Sequence, residues 1–368
     1  MKHYKMSDVV IEVADRENNP SKSIYKKFVG LEHYVSGEVK IKNFGASDKL
    51  ESTMKIFQSG DILVARRNVY LRRAAMVDFD GLTSGDSIVL RAKEKTMGRL
   101  LPFVLNTDSF WEFADKYSDG TMSKRLSPKL LMQYEFNLPD EEEQEKLADM
   151  LWAANETKES YQELLRQTDE LVKSQFIEMF GDPELNPKSW PIKSLSEVAE
   201  SFIGLTYKPK DVSPNGTIVL RSSNIQDSEI YLDDQVRVNT VIKEKLYVEE
   251  NDILMCSRNG SASLVGKVAK IPKLSERMTF GAFMTIIRSR YSDYLFTYFQ
   301  LPAFRKQVNT GTATINQITQ KMLDNVRLPI PEFSAVERFS KLLTQTDKSK
   351  YIWHNALNAN CVGGECYA

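Results

Sequence analysis

The sequence predicts an α+β protein with a pseudo-twofold internal repeat. We expect two similar α/β domains in tandem, separated by a pair of long antiparallel coiled-coil-like helices. Three observations predict this fold class: a set of anchor residues occurs twice, each copy contains short apolar runs of strand length, and each copy is followed by a heptad pattern. A chain of 368 residues is also long enough for two domains with separate hydrophobic cores.

The repeat is visible in short motifs. Gly-Asp-Ile-Leu at 60–63 returns as Asn-Asp-Ile-Leu at 251–254, and Arg-Asn at 67–68 returns at 258–259. The spacing is 191 residues up to a repeated Gly-Thr pair and 192 after it, so a single one-residue gap keeps both copies in register. Because the halves differ between these anchors, we expect similar scaffolds that bind different things. The further repeated positions are Gly120 and Gly311, Thr121 and Thr312, Lys129 and Lys321, Leu131 and Leu323, Pro139 and Pro331, and Glu145 and Glu337.

Each copy is predicted to contain strands and helices. Short apolar runs bounded by polar turn residues favour strands, whereas longer segments rich in aromatic residues favour helices. The predicted strands are Asp61–Ala65 and Ser87–Leu90 in the first domain, residues 1–138, and Asp252–Cys256 and Met284–Ile287 in the second domain, residues 192–330. The predicted helices are Leu100–Tyr117 and Ser292–Val308.

Residues 139–180 are predicted to form a long central spacer helix. Between Glu143 and Phe180 there is no glycine or proline, and apolar residues follow the alternating spacing of four and three that is typical of a coiled-coil seam. Gly181 and Pro183 then end the helix and begin a turn-rich linker, residues 181–191. A second, shortened spacer helix is predicted over 331–358, followed by an irregular tail, 359–368.

We expect the two spacer helices to pack against each other along a seam. A matched pair of seams behind two equivalent domains favours an antiparallel helix pair. The alternative is that each helix packs only on its own domain. The predicted seam residues are Leu147, Leu151, Ala154, Tyr161, Leu165, Val172, Phe339, Leu343, Trp353 and Leu357.

The charge is unevenly distributed along the chain, although its formal net value is only −1. Residues 1–138 hold 22 lysine and arginine residues against 18 aspartate and glutamate residues, residues 139–180 hold 4 against 12, and residues 181–330 hold 19 against 16. Two mildly basic blocks are therefore separated by one strongly acidic segment. A basic face is what a DNA partner would require.

Candidate DNA contacts follow the repeated strands. Arginine can bridge the O6 and N7 atoms of guanine and asparagine can pair with adenine, so loops that combine these residues suit base reading together with phosphate contact. A second pair of loops, which begins at the repeated Gly-Thr, carries hydroxyl, amide and basic side chains. The alternative is that all four are solvated loops or ordinary turns. The candidate DNA-binding residues are Arg66, Arg67, Asn68, Tyr70, Arg72, Arg73, Thr121, Lys124 and Arg125 in the first domain and Ser257, Arg258, Asn259, Lys267, Thr312, Thr314, Asn316 and Gln317 in the second.

The sequence predicts no catalytic residues and no metal ligands. It has no GxxxxGK[ST] phosphate loop and no glycine-rich Rossmann turn. His3, His33 and His354 are scattered, and three cysteines are too few for a zinc site or a disulfide framework. We therefore expect a protein that is not catalytic alone. Since no apolar run reaches the length of a membrane helix and the first residues lack a signal peptide, we expect it in the cytoplasm, away from membranes.

In its repeated pattern the chain resembles the specificity subunits of type I restriction-modification systems over nearly its whole length. The tandem modules, the strand-end Asp252-Ile253-Leu254 with Ser257-Arg258-Asn259-Gly260, and the Gly-Thr loop with Asn316-Gln317 carry the resemblance. So do the Leu-Pro and Ile-Pro steps at 138–139 and 330–331. The most specific part is Phe180-Gly181-Asp182-Pro183 with Asn186-Pro187-Lys188 and Trp190, which closes the central helix.

The resemblance implies two target-recognition domains, each of which reads one half of a bipartite, asymmetric site in double-stranded DNA. The helices would set the unread gap between the halves and dock two modification (methyltransferase) subunits, and restriction/translocase subunits would complete the complex. The resemblance also implies that S-adenosylmethionine, ATP and magnesium bind to those partners, so no cofactor is expected in this chain.

The predicted second helix departs from the family pattern, because family members usually keep a second spacer comparable to the first. An alternative function is therefore a decoy or regulator that reads no DNA and binds modification subunits through its helices.

Overall fold

The computed structural model describes the backbone of residues 1–120, 123–308 and 317–362, and the side chains of these residues up to 348. The described chain divides into two compact units, one of Met1–Ser160 together with residues 359–362, and one of Tyr161–Asn358. Both are mixed α and β, as predicted. Within the described ranges, no helix is both long and apolar enough to cross a lipid bilayer.

The first unit is built from short strands and short helices before the central helix begins. Its strands are β1 (Lys2–Lys5), β2 (Val10–Glu12), β3 (Arg16–Glu17), β4 (Lys27–Val29), β5 (Gly45–Ala46), β6 (Met54–Phe57), β7 (Ile62–Ala65), β8 (Ala74–Met76), β9 (Gly81–Thr83), β10 (Ser87–Ala92) and β11 (Glu135–Leu138). Its helices are α1 (Met6–Val9), α2 (Lys95–Val104), α3 (Asp108–Tyr117), α4 (Pro128–Leu131) and the first half of α5 (Glu141–Phe180).

The second unit repeats this plan. Its strands are β12 (Ile192–Ser194), β13 (Glu200–Ile203), β14 (Val212–Leu220), β15 (Ile225–Gln226), β16 (Glu229–Ile230), β17 (Arg237–Val238), β18 (Ile253–Cys256), β19 (Val268–Lys270), β20 (Met278–Phe280), β21 (Met284–Arg288) and β22 (Arg327–Pro329). Its helices are α6 (Ser292–Phe299), α7 (Pro302–Val308), α8 (Gln320–Asp324) and α9 (Phe333–Val362), together with the second half of α5.

The sheets show that the sequence repeat is a structural repeat. The central sheet of the first unit has the order β2-β10-β7-β8, and that of the second has the matching order β13-β21-β18-β19. A two-stranded ribbon also matches, β1-β11 in one unit and β12-β22 in the other. Even a helix cap is repeated, because Ser127 accepts a hydrogen bond from Leu130 N and Thr319 accepts one from Met322 N.

The repeated Asp-Ile-Leu strand lies in the middle of each unit. All four residues of β7 are buried, and alternate side chains enter different clusters. Ile62 packs with the helices α2 and α3, whereas Leu63 packs against the five-stranded sheet β3-β6-β9-β4-β5. In β18, Ile253 and Leu254 divide in the same way. A strand buried on both faces does not alternate between apolar and polar residues. The continuous apolar run in the sequence reflects this position.

The central helix α5 runs without a break over 40 residues, which corresponds to roughly 60 Å at about 1.5 Å per residue. Its predicted end is confirmed: Gly181 has a φ of 83° and donates to the carbonyl of Ile177 at 2.8 Å. Lys188 Nζ donates to the carbonyls of Glu178 and Met179 at 2.8 and 2.9 Å. Because the last carbonyls of a helix lack backbone partners, the Gly-Asp-Pro…Pro-Lys segment acts as its cap.

The predicted seam residues are distributed over two cores. Leu147 and Leu151 pack partly buried against the first unit's core, whereas Val172 packs against the second unit's core, to which Phe339 and Leu343 belong. Tyr161 and Leu165 are half-buried. α5 therefore does not pack only on the first unit: its second half belongs to the second unit's core, where Phe176 and Phe180 contact Phe339 of α9.

Ala154 is exposed, and the next residue, Asn155, is buried instead, so the predicted register is corrected at this turn. The side chains of Trp353 and Leu357 lie outside the described residues. The predicted helix end at 358 is also corrected, because α9 continues to Val362. No helix breaker occurs in the sequence before Gly363, and an irregular tail from 359 is therefore not what the backbone adopts as far as Val362.

Candidate nucleic-acid interface

The two loops predicted to bind DNA in the first domain lie side by side. We call residues 66–73 the first strand-end loop, because they follow β7. Its partner is the Gly-Thr loop, 120–125. Leu126 N donates to the carbonyl of Arg66 at 2.9 Å, and Asn68 N donates to the carbonyl of Lys124 at 2.9 Å. Ser123 Oγ donates to Asn68 Oδ1 at 3.0 Å. The candidate side chains therefore share one surface.

The second unit has the same arrangement. The second strand-end loop, residues 257–263, follows β18, and Ile318 N donates to the carbonyl of Ser257 at 2.8 Å. Arg258 and Gln317 are paired by a β-bridge, as Arg67 and Arg125 are in the first unit. The equivalent pairs have the same offsets of 191 and 192 residues as the sequence repeat. Thr121, Thr312, Thr314 and Asn316 lie outside the described residues.

A third loop, which the sequence analysis missed, completes each surface. In the first unit it is the turn before β10, which pairs with β7, and in the second it is the turn before β21, which pairs with β18. Arg66 N donates to the carbonyl of Asp86 at 2.9 Å, and Ser257 N donates to the carbonyl of Phe283 at 2.9 Å. The register of the strands is the signal that could have found this loop. Asp86 and Phe283 each lie directly before a predicted strand, and the antiparallel ladder places each of them opposite the end of the repeated strand.

Several predicted contact residues are accessible to a ligand. Tyr70 is 65% exposed, and Arg125, Arg258, Lys267 and Gln317 are also exposed. All of them lie at the end of the repeated strand or on the loop beside it. Exposed cationic and amide groups at one edge are available for phosphate and base contacts.

Other predicted contact residues hold the loops together instead. Ser257 is only 6% exposed, and its hydroxyl donates to Thr285 Oγ1 at 2.6 Å. Arg73 donates to the carbonyls of Leu31 and Arg67 at 3.0 and 3.1 Å, and burial lowers the pKa of its guanidinium group. A DNA contact by Ser257 or Arg73 stays a prediction, which these internal hydrogen bonds do not favour. The hydroxyl of Ser257 and both Nη atoms of Arg73 are engaged within the protein.

The remaining candidates have protein partners that DNA would have to replace or share. Lys124 Nζ is 2.6 Å from Asp115 Oδ2, and Arg72 forms an ion pair with Asp108. Asn259 Nδ2 donates to Ser222 Oγ at 3.1 Å. Arg66 differs from these residues: it is half-buried, and its Nε has no hydrogen-bond partner among the residues that the structure describes.

The repeated aspartate at the start of each central strand anchors the scaffold. Asp61 is 1% exposed and is held by Nε and Nη2 of Arg91 at 2.7 and 2.8 Å. Asp252 is 2% exposed and is held by the same two atoms of Arg288 at 2.8 and 2.7 Å. Hydrogen bonding to Asp252 raises the pKa of Arg288. Each aspartate also accepts a backbone N–H three residues earlier, so it fixes the turn that enters the strand.

Among the described residues, no group of three or more histidine, cysteine, aspartate or glutamate residues could hold a metal ion. The second unit has a cavity of about 500 Å³, lined by six carboxylate residues and two lysines. An acidic lining disfavours a nucleic acid. The strand-end surfaces are therefore the better candidates for a DNA contact.

Comparisons with known proteins point to one family. Residues 187–360 match the family described as the type I restriction modification DNA specificity domain. The chain is 28% identical over 178 residues to the EcoKI specificity subunit, a type I restriction enzyme subunit of Escherichia coli K12, and 27% identical over 178 residues to the StySPI specificity subunit of Salmonella potsdam. Each alignment covers 45% of this chain and 38% of the relative's own length.

A solved structure supports the fold. The type I restriction-modification system S subunit from M. genitalium aligns with a TM-score of 0.53 at 13% identity, covering 98% of this chain and 93% of that chain. At this identity the likeness concerns the fold alone. It extends over both units and over the helices.

Proposed function

We propose that this chain, whose residues 187–360 match the type I restriction modification DNA specificity domain, is a type I specificity subunit and reads one half of a bipartite DNA site with each unit. One observation carries this proposal. Each unit places an arginine at the same position, Arg67 or Arg258, on a strand-end loop that is paired with a second polar loop. The scaffold is the same in both units and the neighbouring side chains differ, which suits the reading of two different half-sites.

The central helix provides a basis for the unread gap. An unbroken helix of 40 residues has a length of roughly 60 Å, while one turn of B-DNA advances about 34 Å. We propose that α5 and α9 set the separation of the two half-sites on the duplex. A bipartite motif with a fixed gap, found by methylome sequencing of cells that carry this gene with its partner subunits, would be the expected result. A continuous motif would contradict it.

We further propose that the helices dock the modification subunits. Leu164 and Leu171 are seven residues apart, so they lie on one face of α5, and both are exposed, 38% and 54%. Exposed apolar side chains on a helix that is otherwise strongly acidic provide a surface for a protein partner rather than for DNA.

Replacing Leu171 with glutamate should weaken assembly with the modification subunit about fivefold to 150-fold, because a charge would be buried in an apolar contact, at a cost of about 1–3 kcal/mol. Co-purification and sedimentation of the complex would measure this. Leu185→Glu is the matched control, since Leu185 is 77% exposed in the linker after α5. Equal binding by Leu171→Glu and the unchanged protein would contradict the proposed docking face.

The chemistry of the complex is proposed to reside in the partners. S-adenosylmethionine would supply the methyl group and ATP with magnesium would drive translocation on the modification and restriction subunits. The residues of this chain would hold and orient DNA. We propose that the complex works in the cytoplasm, where these cofactors and the DNA are found.

Replacing Arg258 with alanine tests the DNA-reading proposal. We expect a loss of about 1–3 kcal/mol in binding to the cognate site, together with relaxed preference in one half-site. Fluorescence anisotropy with DNA duplexes randomised in one half-site at a time would separate the two effects. The assembled methyltransferase should be used, because DNA binding is proposed for the complex.

The equivalent change in the other unit provides the control. Arg67→Ala should relax the other half-site and leave the first unchanged. If neither variant changed affinity or site preference, while the complex still assembled, the chain would be the decoy or regulator considered above.

A further inference from the structure

Phe283 is an exposed aromatic residue at the surface proposed to read DNA. Its side chain is 58% exposed. It occupies the third position of a four-residue turn, in which Met284 N donates to the carbonyl of Gly281 at 2.8 Å. A large apolar side chain left in water gains no burial energy from the fold. A structural role in the core therefore does not account for it.

The turn that carries Phe283 is held firmly from behind. Gly281 N donates to the carbonyl of Leu220 at 3.0 Å, and Leu205 N donates to the carbonyl of Phe280 at 2.7 Å. The backbones approach so closely that a Cβ atom on Gly204 would collide with the carbonyl of Gly281. The position of Phe283 is therefore fixed before any ligand binds, which lowers the entropy cost of a contact made by its ring.

The ring of Phe283 contacts the arginine that we propose reads the second half-site. The guanidinium carbon of Arg258 lies 5.3 Å from the ring centroid, within the range of a cation–π contact. The backbone N–H of Arg258 also donates to the carbonyl of Phe283, at 3.1 Å. Arg258 and Phe283 thus present a charged and an apolar group side by side.

The first unit has a different residue at the same place. Ser87 N donates to the carbonyl of Ser84 at 3.1 Å, which closes the matching turn, and Asp86 occupies its third position. The carboxylate of Asp86 lies 3.4 Å from Arg67 and 3.6 Å from Arg125. The backbone is therefore shared, while the chemistry beside the equivalent arginine changes from a hydrogen-bond acceptor to an apolar ring.

We propose that Phe283 determines specificity in the second half-site by contacting the 5-methyl group of a thymine. This inference rests on the function proposed above. In the major groove, thymine differs from every other base by its methyl group, and an apolar side chain is its natural partner. Arg258 beside it would bind a neighbouring guanine or a phosphate. The first unit has no aromatic ring at the equivalent position, so this contact belongs to the second half-site.

Replacing thymine with uracil tests the contact, because this change removes only the methyl group. The motif would first be identified by methylome sequencing, and each thymidine of the second half-site would then be replaced with deoxyuridine in turn. For the assembled complex, we expect one position at which the replacement weakens binding about threefold to tenfold. With Phe283→Ala the same replacement should have no effect, and the preference for thymine at that position should be lost.

Phe283→Leu and Asp86→Ala serve as controls. Leucine should restore part of the dependence on the methyl group, and Asp86→Ala should alter the first half-site alone. A second half-site without a T·A pair would overturn the inference, as would deoxyuridine effects that are equal in the unchanged protein and in Phe283→Ala. If Arg258→Ala weakens binding and Phe283→Ala does not, only this inference fails. If neither Arg258→Ala nor Phe283→Ala weakens binding, the proposed DNA-reading surface is wrong as well.

Discussion

Replacing Asp252 with alanine should lower the free energy of unfolding of the second unit by about 3 kcal/mol, because it removes the buried carboxylate that pairs with Arg288 and leaves only the exposed Glu249 as its counter-ion. Asp252 accepts hydrogen bonds from Nε and Nη2 of Arg288 at 2.8 and 2.7 Å and from Glu249 N at 2.8 Å. The substitution removes all three acceptor contacts at once. It also frees the turn that enters β18, so the position of the strand-end loop should be lost together with stability.

Hydrogen exchange measured by mass spectrometry would test this prediction for each unit separately. Peptides that cover β18 and β21 should lose protection in Asp252→Ala, whereas peptides that cover β7 should not. Glu276→Ala is a matched control. Glu276 also pairs with an arginine through two hydrogen bonds, to Arg237 at 2.9 and 2.8 Å, but at the surface. Exposed ion pairs contribute little to stability, so we expect no measurable change there. Equal losses in the two variants would contradict the anchoring role of Asp252.

Replacing Phe339 with alanine should lower the free energy of unfolding by about 3–5 kcal/mol, the usual range for removing a fully buried phenylalanine. Phe339 is fully buried, and its ring centroid lies 5.8 Å from that of Phe176 and 5.3 Å from that of Phe180. These rings also contact Tyr294 of helix α6. One substitution therefore loosens α9, the end of α5 and the second unit's core together.

Phe333→Ala is the control for this prediction. Phe333 lies on the same helix but is 39% exposed, and it packs edge-to-face on Tyr291 with ring centroids 5.7 Å apart. A partly exposed ring loses less burial and leaves no closed cavity, so its removal should have a clearly smaller effect. Thermal unfolding and hydrogen exchange in α6 would compare the two variants. If Phe333→Ala lowered the free energy of unfolding as much as Phe339→Ala, the prediction that buried Phe339 holds α9 to the second unit's core would be contradicted.

The candidate DNA-binding residues could be predicted only in part. Arg67 and Arg258 follow repeated apolar strands, and the structure places them at equivalent, paired loops. Ser257 belongs to the same run of sequence, but its hydroxyl is buried against Thr285, 28 residues later. The direction of a side chain after a strand depends on which neighbour covers it. A single stretch of sequence does not contain that information.

The missed residues have the same explanation. Asp86 and Phe283 show no resemblance as residue types, so comparison of the two halves of the sequence does not align them. They become equivalent only through the ladders that pair β10 with β7 and β21 with β18. Arg91 and Arg288, which hold the repeated aspartates, are separated from them by 30 and 36 residues.

What the sequence determined by itself was local or periodic. The repeat, the strand Ile253–Cys256 and the end of the central helix at Phe180 follow from short-range rules: apolar runs favour strands, heptads favour long helices, and glycine and proline end them. Only the tertiary structure decided which polar side chains are buried, which turn faces which arginine, and that Phe283 and Asp86 occupy one position. Contacts between strands far apart in the chain fix these features, because an antiparallel ladder sets the neighbour of each residue regardless of its distance in sequence.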